Sequence, residues 1–156
     1  MKKRQKGFSL IELLVVVAII LIIASIAIPA LLQARKSANE SAAVANLRSL
    51  ASAEFTYASR NNQNFGSMAN MSTANYVDTR FSASPSTFNG FQYSEGYGVV
   101  GLPAGTPTTT PTGFGFQALH QAPSSDTDFE VGPDGVVRYG KSGSPSGQGE
   151  GTPLGK

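Results

Sequence analysis

The sequence KGFSLIELLVVVAIILIIASIAIPALL, residues 6–32, is the most apolar stretch of the chain. Residues 13–28 contain no charged side chain, and Ser25 is their only polar residue. A membrane-spanning helix needs about 20 mostly apolar residues, because each residue adds about 1.5 Å and the hydrocarbon core is about 30 Å thick. Residues 8–28 meet that length, so the sequence predicts one membrane-spanning helix.

Charges before and inside the apolar run constrain its orientation and its partners. The four basic residues that precede it are Lys2, Lys3, Arg4 and Lys6. Positive charge favours the cytoplasmic side, so the polar remainder of the chain is expected across the membrane. Glu12 lies within the run, where an unpaired charge costs a few kcal/mol, so a cationic partner is expected. A cut between Gly7 and Phe8 would create an α-amino group one helical turn from Glu12, in the same chain or in a neighbouring copy.

The pattern K-G-F-S-L-I-E resembles the class III signal of type IV prepilins and of type II secretion pseudopilins. Gly7, Phe8 and Glu12 match this signal, and Pro29 stands where the family has a helix-breaking proline. The resemblance covers about residues 1–35. It implies that a prepilin peptidase cuts after Gly7 and methylates Phe8, and that Glu12 pairs with the Phe8 amine during assembly. The implied partners are other copies of the chain in a helical filament and an inner-membrane assembly platform.

Three other interpretations of the apolar run are open. It is longer than the 7–15 apolar residues usual in a secretory signal peptide, although residues 25–27 offer a small-residue cleavage site. A plain single-pass anchor would leave Glu12 unpaired. A buried helix of a soluble domain is disfavoured because the run has no polar face.

The remaining composition favours one small domain outside the membrane. About 125 residues follow the apolar run, which suits a single domain. Without the leader, 8 basic side chains face 10 acidic ones, a net charge of −2, so nucleic acid is not indicated as a partner. The chain has no cysteine, and no disulfide can support the domain.

The chain is predicted to contain five segments. They are a cleaved basic leader (1–7), a transmembrane and assembly helix (8–29), an amphipathic helix half (30–60), a variable loop with a sheet domain (61–140) and a disordered tail (141–156). Pro29 lacks an N–H, so a kink or loosened turn is expected there.

The second helix half has an apolar face that should cover a sheet. Its residues recur every three or four positions: Val44, Leu47, Ala51, Phe55 and Ala58. We place Glu54 off this face. Asn61 and Asn62 are expected to end the helix.

The sheet is predicted to be antiparallel, with about four short strands, which gives a pilin-like α+β fold. Residues 61–89 are interpreted as a long connecting loop. The strand candidates are residues 91–99, 113–120, 128–131 and 136–139. The last two flank Gly132-Pro133-Asp134-Gly135, which fits a tight type I turn.

No catalytic set, cofactor site or metal site is indicated by the sequence. His120 is the single histidine, and the sequence shows no recognisable Ser/His/Asp triad that would include it. The chain is therefore not expected to be an enzyme. The acids Asp126, Asp128, Glu130 and Asp134 could hold calcium. Their spacing matches no known loop motif, and solvated hairpin charges are the favoured interpretation.

These observations leave three functional classes. The first is a type IV pilin that polymerises into a surface filament for motility, adhesion or DNA uptake. The second is a pseudopilin that forms a short periplasmic piston for type II secretion. The third is a monomeric, membrane-anchored binding domain. A subunit of the first two classes rests in the bacterial cytoplasmic membrane before it enters an extracellular pilus or periplasmic pseudopilus.

Overall fold

The computed structural model describes residues 8–95, 113–122, 127–141 and 152–154. The chain divides into two compact units, Met1–Arg35 and Lys36–Lys156. The first helix, α1 (Leu10–Arg60), contributes residues to both units. The other described helices and strands belong to the second unit.

In the first unit, α1 begins directly after Ser9 and continues through Pro29. The hydroxyl of Ser25 donates a hydrogen bond to the carbonyl of Ile22, with an O···O distance of 2.7 Å. Since proline has no N–H, the carbonyl of Ser25 lacks its usual helical donor. The kink at Pro29 stays a prediction.

In the second unit, one face of α1 is buried against the sheet. Its buried residues are Ala43, Leu47, Leu50, Ala51, Ala53, Glu54 and Ala58. The predicted face is wrong at one position: Phe55 is 48% exposed, while the neighbouring Glu54 is fully buried. Both residues fit the spacing from Ala51 and Ala58, because positions three and four apart share a helix face. The ring of Phe55 lies at the edge of the core, edge-on to Phe114 at 5.2 Å.

Residues 61–89 contain regular structure where the sequence predicts a long loop. A short helix, α2 (Met68–Thr73), follows Ser67, whose hydroxyl accepts a hydrogen bond from the Asn70 N–H at 3.1 Å. A 3₁₀ helix (Thr79–Phe81) comes next. Met68 and Met71 are fully buried, so the apolar residues scattered through this segment anchor it to the core.

Within the described ranges the antiparallel sheet has six strands, arranged in chain order. They are β1 (Ser86–Phe88), β2 (Phe91–Glu95), β3 (Phe116–His120), β4 (Thr127–Val131), β5 (Val137–Lys141) and β6 (Thr152–Pro153). The four predicted strands correspond to β2–β5, and the short β1 and β6 form the two edges. Residues 96–99 of the first predicted strand lie outside the described residues.

The edge strand β6 falls within the tail that the sequence predicts to be disordered. Thr152 pairs with Tyr139 of β5, and Leu154 packs against the hydrophobic core. Residues 152–153 thus form regular structure beside β5 within the segment that the sequence predicts to be disordered. Residues 142–151 lie outside the described residues.

The core lies between the buried face of α1 and the inner face of the sheet. Its largest fully buried apolar side chains include Leu47 and Leu50 of α1, Phe91 and Tyr93 of β2, and Phe116 of β3. Asn46 of α1 donates a hydrogen bond from its side-chain amide to the Tyr93 hydroxyl at 2.9 Å. The α+β fold class is confirmed: the second half of the long helix packs against an antiparallel sheet.

Candidate functional site

The first turn of α1 contains the acid that interrupts the apolar run. Ser9 directly precedes the helix, and Glu12 is the acidic residue of its first turn. A carboxylate oxygen of Glu12 accepts a hydrogen bond from the backbone N–H of Ser9 at 2.9 Å. This contact is one half of a capping box, in which a side chain three residues into the helix satisfies an N–H that the helix leaves unpaired. Glu12 therefore stabilises the start of α1 within its own chain.

Phe8 and Gly7 form the junction at which the sequence predicts cleavage. Phe8 is 77% exposed, and Gly7 lies outside the described residues. The cleavage and the pairing of Glu12 with the Phe8 amine stay predictions.

The apolar side chains of the first unit are exposed. The large hydrophobic residues from Phe8 to Leu32 are 45–77% exposed, and all of them except Phe8 lie on α1. Among the described residues, α1 is the helix that is long and apolar enough to cross a membrane. None of the 18 residues in its most apolar stretch is buried. A core helix of a soluble domain would be buried, so this surface needs lipid or other helices to cover it.

A second site, which the sequence did not indicate, lies in the globular unit. Glu54 of α1 is fully buried, and one of its carboxylate oxygens accepts a hydrogen bond from the Gly66 N–H at 3.1 Å. Its other oxygen has no hydrogen-bond partner among the described residues. Glu95, at the end of β2, accepts a hydrogen bond from the Met68 N–H at 2.6 Å. Two carboxylates thus bind the backbone on either side of Ser67.

Burial changes the ionisation of Glu54. Desolvation raises the pKa of Glu54 from its ordinary value of 4.5 to about 7, and the negative charge of Glu95 adds to this increase. The hydrogen bond from Gly66 acts in the opposite direction, because it stabilises the ionised form. Glu54 is therefore a buried acid that titrates near neutral pH.

Among the acids considered for calcium binding, those that the structure describes do not form a group of three or more. Asp128 accepts a hydrogen bond from the backbone N–H of His120 and contacts the His120 ring nitrogen, both at 2.8 Å. Asp134 forms an ion pair with Arg138, which lowers the pKa of its carboxyl group. Asp126 lies outside the described residues. No group of three or more potential metal ligands occurs in the described ranges.

The favoured interpretation of these acids as solvated hairpin charges is also wrong for two of them. Asp128 is 5% exposed and Glu130 is 8% exposed. Both lie on β4, on the strand face opposite Phe129 and Val131. Sequence alternation predicts that the two acids share a face, but it does not show that this face is covered.

Two comparisons with known proteins each match part of the chain. Residues 2–28 match a family model described as the prokaryotic N-terminal methylation motif. A stretch of 60 residues is 47% identical to the type IV wide pilus major component PilA4 of Thermus thermophilus. That stretch covers 38% of this chain and 46% of the relative, so the match spans about half of the relative's length.

Proposed function

This chain is type IV pilin-like, and we propose that it is a structural subunit that polymerises into a helical filament at the cell surface. The observation that carries the proposal is the methylation motif over residues 2–28, which contains Gly7, Phe8 and Glu12 in the register of a prepilin signal. Pilin-like similarity favours a structural subunit over an enzyme.

The precursor is anchored in the cytoplasmic membrane, with the basic leader on the cytoplasmic side and the globular unit on the opposite side. This orientation follows from Lys2, Lys3, Arg4 and Lys6 ahead of an apolar helix. A prepilin peptidase then cuts after Gly7 and methylates Phe8. An assembly platform in the inner membrane moves the subunit into the growing filament.

Assembly transfers the exposed apolar half of α1 from lipid into a bundle of identical helices. This transfer gains little from the hydrophobic effect, since lipid and helix bundle are similarly apolar. A polar interaction therefore has a disproportionate influence on the stagger between subunits. Pairing of Glu12 with a Phe8 amine supplies that interaction, because a carboxylate buried without a cation costs more than the pair gains.

A surface pilus is favoured over a pseudopilus by the relative's role. That protein is named as the major component of a wide pilus, and its identity to this chain is 47% over the matched stretch. The pseudopilin remains the second candidate, since both classes share the prepilin signal. The monomeric anchored domain is less favoured because it gives no role to Gly7, Phe8 and Glu12.

Shearing of intact native cells tests this proposal. A pilin should appear in the sheared surface fraction as filaments that bind an antibody to the globular unit, and they should be absent from a strain lacking the gene. A pseudopilin should stay with the cells, and an anchored monomer should stay in the membrane. Either of these distributions would contradict the surface-pilus proposal.

A further inference from the structure

The segment that connects α1 and α2, residues 61–67, is fastened by two acidic side chains from other elements. Glu54 of α1 binds the N–H of Gly66, and Glu95 of β2 binds the N–H of Met68. Residues 61–73 contain no ionisable side chain, so the segment offers neither acid a counter-charge. The attachment of the segment at Gly66, and of the adjoining Met68 at the start of α2, therefore depends on carboxyl groups outside the segment.

The packing around Glu54 leaves little room for solvent. The carboxyl group is fully buried, and one oxygen has no hydrogen-bond partner among the described residues. The ring of Tyr57 covers Gly66 so closely that an added Cβ there would lie 2.8 Å from a ring carbon. Ionisation thus places an incompletely solvated charge in the core, and hydrating it requires the connecting segment to move.

We propose that Glu54 and Glu95 form a pH-sensitive latch that holds residues 61–67 closed in acid and releases them as the pH rises. In the closed state, neutral Glu54 accepts the Gly66 N–H. In the open state, ionised Glu54 reaches water and is relieved of the neighbouring Glu95 charge. The proposal concerns the globular unit and does not depend on filament formation.

Among the described residues, the other ionisable side chains beside the segment are Tyr57, Tyr76 and Arg60. The rings of Tyr57 and Tyr76 meet edge-on at 5.7 Å. Arg60 donates a hydrogen bond to the Tyr76 hydroxyl at 3.4 Å. Glu95 supplies the neighbouring negative charge that raises the pKa of Glu54.

The size of the effect follows from the two ionisation states. The pKa of Glu54 is about 7 in the closed state, and opening should return it to its ordinary value. By linkage, the open population should rise roughly 25-fold between pH 5.5 and pH 8. Local opening of this kind is measured by amide hydrogen exchange.

The test uses the full-length, ¹⁵N-labelled chain in detergent micelles. The amide signal of Gly66 should shift with pH between 5 and 8.5, with a midpoint near 7. The exchange rate of Gly66, divided by its rate in Glu54→Gln, should increase roughly 25-fold between pH 5.5 and pH 8. The ratio removes the intrinsic pH dependence of exchange. A Gly66 signal that does not titrate in the wild-type chain overturns the proposal, whether or not the variant folds.

Two further variants separate the latch from a general pH effect. Glu95→Gln keeps an oxygen for the Met68 N–H and removes the neighbouring charge, so the Gly66 midpoint should move to lower pH. Asp78→Asn alters a carboxylate that is half-exposed and should leave the midpoint unchanged. An unchanged midpoint in Glu95→Gln, or an equal decrease in Asp78→Asn, would contradict coupling between Glu54 and Glu95.

Discussion

Replacing Glu12 by Gln separates the two roles that its carboxylate has at the start of α1. The side chain accepts the Ser9 N–H at 2.9 Å, and a glutamine amide oxygen can accept the same hydrogen bond. Glu12→Gln therefore keeps the helix cap and removes the charge, whereas Glu12→Ala removes both. We expect both variants to insert and to be cleaved after Gly7, and both to fail to form filaments.

The magnitudes of the two roles differ enough to be distinguished. A helix cap is worth about 1 kcal/mol, which is a roughly fivefold change in an equilibrium. A charge left unpaired at membrane depth costs about 2.5–3.5 kcal/mol on insertion scales. Without Glu12, the cation on Phe8 has no partner, so the association constant of subunits should fall roughly 100-fold in both variants.

The assay compares the sheared filament fraction with the membrane pool by immunoblot. Mass spectrometry of the membrane pool shows whether each variant is still cut after Gly7. Ser9→Ala is the matched control, because it retains the backbone N–H that Glu12 binds, and it should form wild-type amounts of filament. Wild-type amounts from Glu12→Gln, with a loss in Glu12→Ala alone, would refute the charge pairing and leave only the cap.

The globular unit provides three further predictions, each measured by chemical denaturation of the full chain in detergent with tyrosine fluorescence as the signal. The fold favours neutral Glu54, so the stability that this residue contributes is complete below pH 4.5 and is lost as the pH rises to about 7. Over that interval, the unfolding free energy of Glu54→Gln should rise by about 3 kcal/mol relative to that of the wild type. Parallel pH profiles of the two proteins would contradict this prediction. Leu47→Ala should lower the unfolding free energy by about 2–5 kcal/mol, since Leu47 is a fully buried residue of α1. A loss below about 1 kcal/mol would contradict that packing. Asn46→Ala and Tyr93→Phe should show a coupling energy of about 1 kcal/mol in a double-mutant cycle, because the wild-type side chains of Asn46 and Tyr93 share a hydrogen bond. Strict additivity of the two substitutions would indicate that this hydrogen bond does not form.

The elements that the sequence predicts well have strong local signals. The apolar run and the two asparagines after Arg60 mark α1, which ends at Arg60. Asn62 has a φ of 53°, a left-handed conformation that asparagine tolerates. In the hairpin, Gly135 has a φ of 69°, and its N–H donates to the Gly132 carbonyl at 3.0 Å. Each of these features depends on a few adjacent residues, so one sequence suffices to predict it.

The features that the sequence does not predict depend on contacts between distant segments. Glu54 and Phe55 both fit the spacing of the buried helix face, and hydrophobicity alone favours Phe55. In the structure Glu54 is the buried residue, and its carboxylate accepts a hydrogen bond from the Gly66 N–H. The described part of β6 has two residues, and they pair with β5. Local propensity carries no information about either partner.

The N-terminal sequence and mass of the mature protein from its native cell test the central claim most directly. The account predicts that the chain begins at Phe8 and carries one added methyl group. A start near residue 28 would show that the apolar run is a removed signal peptide. An intact Met1 would show a simple membrane anchor, and either result would contradict the proposal that this chain is processed for assembly into a filament.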